Sequence, residues 1–251
     1  MEKNKIEVWT DEDGAVFSAD KKKLLHCPDV VEYMIPNHAD CISPDAFDTA
    51  PKLRRIDFNK VLSIPEKIVG HTYEVPDFHG SSWTGDFDTV TRYNIYSIFE
   101  NCPLVEEIKL SSKMDYIGRY VFAGLQHLKS FTIPCVKYGD FHIKALWGCN
   151  QLKELTVNDN FTCGDYSQAQ GDSSEIYYET DRDWSCVCEL PALDTCRIKF
   201  LKDWKKKQDW IYAVCGCASF KHVKTIFLPT DILKQIEDDL PKKDIIEYIG
   251  E

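Results

Sequence analysis

"VFAGLQHLKSFTIP", residues 121 to 134, places Val121, Phe122, Leu125, Leu128, Phe131 and Ile133 at spacings that fit no single secondary-structure period. The first part skips in threes, as a turn or short helix does, and Phe131 and Ile133 then alternate as in a half-buried strand. Written as apolar-x5-apolar-x2-apolar-x-apolar, the stretch gives Phe122, Leu128, Phe131 and Ile133. The same template returns as Leu146, Leu152, Leu155 and Val157 on one side and Phe99, Val105, Ile108 and Leu110 on the other. Phe47, Leu53, Ile56 and Phe58 fill it earlier in the chain, and Cys217, Val223, Ile226 and Leu228 fill it later. A weaker copy uses Val187, Leu193, Cys196 and Ile198.

Repetition at 20 to 29 residues around an L-x2-L-x-L core is the mark of leucine-rich repeats. Each repeat is one coil, a short strand followed by a turn and a return path, and no coil buries its apolar set alone. Stacking pairs each strand with the next and closes a continuous core. The predicted fold class is therefore an α/β leucine-rich-repeat solenoid. Its expected form is a right-handed curved coil stack with a parallel β-sheet on the concave face, an irregular or short helical convex side and a short C-terminal helical cap. One domain spans residues 1–251. Residues 1–32 form a hairpin-like N-terminal cap, 33–229 about seven repeats interrupted at 59–94 and 158–184, and 230–251 the helical cap. In that cap Asp231 is expected to start a helix that stops before Pro241.

The segments "DAFDTAPKLRRIDF", "SIFENCPLVEEIKL", "YVFAGLQHLKSFTIP" and "ALWGCNQLKELTV", together with "YMIP" at 33 to 36, resemble BspA-like leucine-rich repeats. Cys102 and Cys149 occupy the cysteine slot of that pattern, and "DGAVFSADKKKLLHCP" resembles the hairpin module that often accompanies it. The resemblance implies a non-catalytic binding protein of a bacterial, host-associated kind, often displayed at a surface.

The formal charge of −11 and a pI near 5.1 disfavour a nucleic-acid binder, which needs surplus Lys and Arg to displace phosphate counterions. The basic run Lys205-Lys206-Lys207 reads as a solvated helix face. No segment approaches the ~18 apolar residues that span a bilayer, so no membrane insertion is expected. The N-terminal stretch "MEKNKIEVWTDEDGAVFS" holds no hydrophobic run of signal length, which implies a cytoplasmic acidic protein as written, or a surface or secreted one if a leader has been removed. Eleven cysteines spread along the chain favour free thiols.

Chemistry-bearing constellations are weak. Cys186/Cys188 and Cys215/Cys217 form two C-x-C pairs that neighbouring coils could bring together around zinc, but C-x-C on a strand sends both thiols to one face, and ordinary buried thiols are the expectation. None of the cysteines and histidines stands in a nucleophile context, and G-x-S-x-G, H-E-x-x-H and P-loop patterns are absent from the sequence. Neither cofactor, metal nor catalytic residue is therefore expected.

What is left is binding, by a monomer, to another protein. The concave face should present the template's x positions: Arg55 and Asp57, Glu107 and Lys109, Ser130 and Thr132, Glu154 and Thr156, Thr195 and Arg197, Thr225 and Phe227. The interruption at 59–94 adds the aromatics Tyr73, Phe78, Trp83 and Phe87 as candidate anchors. The one at 158–184 carries seven acidic residues and one basic, with Asp172, Glu175, Glu179, Asp181 and Asp183 as candidate steering charges. Three classes stay open: a generic protein-interaction module, a cytoplasmic inhibitor or immunity-type protein whose acidic insert engages a basic partner, and a Cys/His- or metal-dependent enzyme.

Overall fold

The computed structural model describes residues 7–79, 82–118, 120–133, 143–158, 190–199, 207–241 and 245–251. The chain opens with three antiparallel strands, β1 (Val8–Thr10), β2 (Val16–Ser18) and β3 (Lys23–His26). Asp11 holds the first turn through hydrogen bonds that its carboxylate accepts from the backbone N–H of Asp13 and Ala15. The coils then begin with β4 (Glu32–Met34), β5 (Cys41–Ile42), β6 (Arg55–Asp57) and β7 (Ser63–Ile64). A long hairpin, β8 (Lys67–His79) and β9 (Ser82–Tyr96), precedes β10 (Glu107–Lys109), β11 (Tyr116–Ile117) and β12 (Ser130–Ile133). After a 3-10 turn at Ile143–Leu146 come β13 (Glu154–Asn158), β14 (Thr195–Lys199), helix α1 (Lys207–Ser219), β15 (Thr225–Leu228), helix α2 (Thr230–Ile236) and β16 (Glu247–Gly250).

The template strands are parallel and in register, but they form two groups. One is ordered β10-β6-β4 and the other β12-β13-β14-β15-β16. The expectation that strands from Leu53, Val105, Leu128, Leu152 and Val223 share one sheet is thus corrected: the hydrogen-bonded ladder stops between β10 and β12. The core does not stop there. Phe47, Phe99 and Phe122 fill the first template slot in successive coils, and their rings stack at 4.6 and 5.9 Å with interplanar angles of 20° and 27°. Phe131 continues from Phe122 at 5.1 Å. Of the described template residues, Leu110 alone is half-buried, and the rest are buried.

A second correction concerns the return side. In the N-terminal half it is a second sheet, in which β3, β5, β7 and β11 pair in parallel, rather than an irregular or helical path. Ile42, Ile64 and Ile117 are buried there, so β-branched residues at one slot of each coil extend the return path into strand. Among the described residues, helix follows later in the chain, first as the 3-10 turn at Ile143–Leu146 and then as α1.

At the C-terminal end α2 starts as expected, but Pro229 occupies the N-cap position and no side chain caps it; Asp231 lies inside the first turn. Proline presets the backbone there, and the acidic residue still complements the helix dipole. The chain does not end in helix. β16 adds another parallel strand, pairing Thr225 with Glu247 and Ile226 with Tyr248.

Candidate binding surface

In a parallel stack, alternate residues of each strand point away from the core and line up with their counterparts in the next coil. The register therefore builds two columns. The first runs Glu32, Arg55, Glu107 in one group and Ser130, Glu154, Thr195, Thr225, Glu247 in the other. The second runs Met34, Asp57, Lys109 and then Thr132, Thr156, Arg197, Phe227, Ile249. All twelve residues expected on this face fall in the columns and are exposed or half-buried. Glu32, Met34, Glu247 and Ile249 extend them and were not anticipated, because β4 and β16 fit the template less fully.

The charged members pair laterally across coils. Arg55 sits at the centre, bonded to Glu32 and lying 3.5 and 3.6 Å from Glu106 and Glu107. Lys109 donates to Asp57 at 2.7 Å, and this bond raises the lysine's pKa. Further along, Arg197 bonds to Glu251 and lies 4.5 Å over the ring of Phe227. These pairs are solvent-exposed and add little stability. What they supply is order: side chains that would otherwise sample many rotamers are held in a fixed pattern of opposite charges.

The hairpin leaves the stack between two coils. Arg55 and its register partner Glu107 are 52 residues apart, and residues 67–96 account for 30 of them, leaving a coil of 22. Lys67 clasps the root. Its ammonium, 7% exposed, bonds Asp48 at 2.6 Å and Glu100 at 2.7 Å, with Asp45 at 3.7 Å. Burial works against its charge, yet the hydrogen bonds to Asp48 and Glu100 outweigh it and raise the pKa. Beyond the root, Gly70 pairs with Tyr93, whose ring comes so close that a Cβ on Gly70 would meet it at 3.0 Å. The expected anchors all fall on this ribbon, in pairs Tyr73 with Val90, Pro76 with Phe87 and Phe78 with Trp83. Thr72, Glu74, Thr89, Thr91 and Tyr93 are exposed, so the ribbon stands clear of the core.

The cysteine slot has a structural job. Cys102 Sγ lies 3.2 and 3.1 Å from the carbonyl oxygens of Phe47 and Ala50, one coil back. Cys149 Sγ lies 3.1 Å from that of Phe122, again one coil back. A buried thiol thus donates to turn carbonyls of the adjacent coil, and at Phe47 and Ala50 it adds to the bonds those carbonyls already accept from the N–H of Ala50 and Leu53. Burial pushes Cys102 up to about 12 and Cys149 up to about 11, and both are free. Cys215 and Cys217 correct the strand reading of the C-x-C pair. They sit on α1, where residues two apart point to opposite sides, so Cys215 is exposed and Cys217 buried, its thiol hydrogen-bonded to the free thiol of Cys196. No group of three or more metal-ligating side chains occurs among the described residues. Cys186, Cys188, Val187, Asp172, Glu175, Glu179, Asp181 and Asp183 lie outside the described residues.

A family model described as "BspA type Leucine rich repeat region", in 6 copies, matches residues 89–176. Over that segment the chain is similar to BspA-type leucine-rich repeats. Among solved structures, the pneumococcal vaccine antigen PcpA is similar with a TM-score of 0.54 at 18% identity, over 95% of this chain and 46% of that one. A leucine-rich cell surface protein from Faecalibacterium prausnitzii gives a TM-score of 0.43 at 20% identity, over 83% of this chain and 40% of that one. The chain spans less than half the length of either, and the likeness to PcpA speaks to the fold alone. A comparison with curated proteins finds no match. In the coils described, the template residues serve the core and the cysteine slot contacts the turns, and the two columns and the hairpin remain at the surface.

Proposed function

We propose that the chain is a non-catalytic, monomeric protein-binding module that meets its partner with the two outward columns and the hairpin. The observation that carries this reading is the division of labour within each coil. Inward positions are buried, while the register lines up Arg55, Glu107, Asp57, Lys109, Arg197 and their neighbours on one outward face. Charges and hydroxyls held in fixed order suit recognition of a polar protein surface and give specificity more than raw affinity. The coils wind right-handedly with this face on the concave side, a reading supported by the strong right-handed preference of parallel crossovers. A bacterial, host-associated setting accords with the pneumococcal source of a similar fold. Fractionation of the native cells distinguishes surface display from cytoplasmic placement.

The inhibitor or immunity-type reading has its own support in the seven-to-one acidic excess of residues 158–184, which would speed association with a basic partner. Both readings are tested by site-specific photocrosslinking in native cells. With the crosslinker at Ser130 or Thr132, one partner should be captured, and the same partner should be lost when it sits at Lys113. Equal capture from all three positions counts against the outward face. Neutralising Asp172, Glu175, Glu179, Asp181 and Asp183 together should then slow association with that partner at low salt, and unchanged kinetics would exclude a steering role.

A further inference from the structure

Between β10 and β12 the outward ladder is interrupted, although the two strands still lie beside each other in the stack. Glu107 donates its N–H to the carbonyl of Arg54 at 3.2 Å, and the carbonyl of Lys109 accepts from Phe58 at 2.8 Å, so both residues face β6. By the alternation of a parallel ladder, the N–H and C=O of Ile108 face β12. On β12 the carbonyl of Lys129 accepts from Glu154, so Phe131 and Ile133 face β13, and Ser130 and Thr132 face β10. No ladder bond joins the two sides. The core loosens at the same place. Ile108 is 8% exposed, against 0 to 2% for Ile56, Phe131, Leu155 and Ile226 at the same slot, and Leu110 is half-buried. The ring spacing also widens, from 4.6 Å between Phe47 and Phe99 to 5.9 Å between Phe99 and Phe122.

The hairpin root straddles this boundary. Lys67 holds Asp48 and Glu100, which follow the first template slots of the β6 and β10 coils. Ser97, buried just after β9, donates its hydroxyl to the carbonyl of Val121 at 2.9 Å, in the β12 coil. Glu66, just before β8, lies so close to Gly118 that a Cβ there would meet its backbone nitrogen at 2.8 Å. Between Gly118 and Val121, Tyr120 has φ 57°, a left-handed backbone that a bulky residue keeps only where its surroundings impose it.

We propose that the stack hinges between β10 and β12, and that the hairpin root sets the angle between the two groups of columns. Each bonded ladder moves as a body, and the missing bonds make this boundary the place where bending costs least. The stacked rings keep the core closed during the motion, because offset aromatic pairs stay in contact over a range of spacings. Through Lys67 and Ser97 the root grips coils on both sides, so a displacement of the ribbon is passed to the outward face. A partner that engages both ribbon and columns, as the proposed function requires, then selects one curvature. The hinge itself belongs to the free chain and is measured without a partner.

The test uses the intact chain with nitroxides on genetically encoded ketone side chains, which leaves the native cysteines untouched. One pair, at positions 32 and 154, spans the boundary; the other, at positions 130 and 247, lies within the second group. All four positions are exposed, and each pair is four coils apart, roughly 19 Å at the spacing of paired strands. Double electron–electron resonance should give a distance distribution at least about twofold wider across the boundary than within the group. Ser97→Ala, which frees Val121, and Lys67→Met, which frees Asp48 and Glu100, should each shift or widen the first distribution and leave the second as it was. Equal widths for the two pairs in the parent overturn the hinge. A first distribution unmoved by both variants overturns the role of the root.

Discussion

Phe99→Ala probes the stacking of coils at its most continuous point. Phe99 is 1% exposed and lies between the rings of Phe47 at 4.6 Å and Phe122 at 5.9 Å, with Phe58 at 6.4 Å edge-on. Removing the ring forfeits about 2 to 3 kcal/mol of burial. The void it leaves, on the order of 100 Å³ at about 24 cal/mol per Å³, adds about 2 kcal/mol. The expected loss is therefore about 4 to 5 kcal/mol, near the top of the range for such truncations. Phe99→Leu, which refills most of the space, should lose about 1.5 kcal/mol or less. Urea unfolding measures both, with Ser130→Ala on the outward face as a control that stays within about 0.5 kcal/mol of the parent. Because coils touch only their neighbours, amide exchange should accelerate first around Phe47 and Phe122. A loss below about 1 kcal/mol for Phe99→Ala would show that the first template slot does not form a ladder.

Lys67→Met leaves Asp45, Asp48 and Glu100 facing one another; because these acids are 32 to 61% exposed, the expected loss is about 1 to 3 kcal/mol, less than for a fully buried pair. Since the folded-state pKa of Lys67 is raised above 10.5, the clasp's contribution is complete below about pH 10.5 and fades as pH rises through the folded value, so the variant should lose that step in a stability-versus-pH series. Iodoacetamide at neutral pH should modify exposed Cys215 in the native protein and reach Cys102 and Cys149 only after denaturation; a peptide linking the latter two would refute the coil register. Replacing residues 67–96 by a three-residue turn should leave a cooperatively unfolding protein, because Lys67 and Tyr96 are register partners and the remaining coil has the ordinary length; an unfolded product would make the hairpin part of the core.

Much of this arrangement was legible from spacing. Phe47, Phe99 and Phe122 declared the ladder because large apolar residues recur at one slot, and a slot buried in every coil tolerates little else. The outward columns followed by exclusion, since they are the residues between the buried ones. What stayed hidden lacks a periodic signal. β16 escaped the template because its last inward position is Gly250, where a Cβ would meet the Thr230 hydroxyl at 2.8 Å, and because its first slot falls on Asp239. The break between β10 and β12 is a property of the hydrogen-bond ladder, and the apolar pattern runs through it unchanged. The Lys67 clasp joins residues 19 and 33 positions apart, a pairing that no local pattern announces. C-x-C at 215 and 217 misled because helix and strand place residues two apart differently.

The functional reading stands on the columns, and the columns stand on the register of β6 against β10 across the hairpin. Asp57→Cys combined with Lys109→Cys tests that register directly. The two positions are paired neighbours on parallel strands, roughly 4.8 Å apart, within the span a disulfide bridges. Mild oxidation followed by peptide mapping should recover a fragment linking positions 57 and 109, whereas Asp57→Cys with Thr132→Cys, two coils apart, should give none. A link in the second pair, or no link in the first, would contradict the stack.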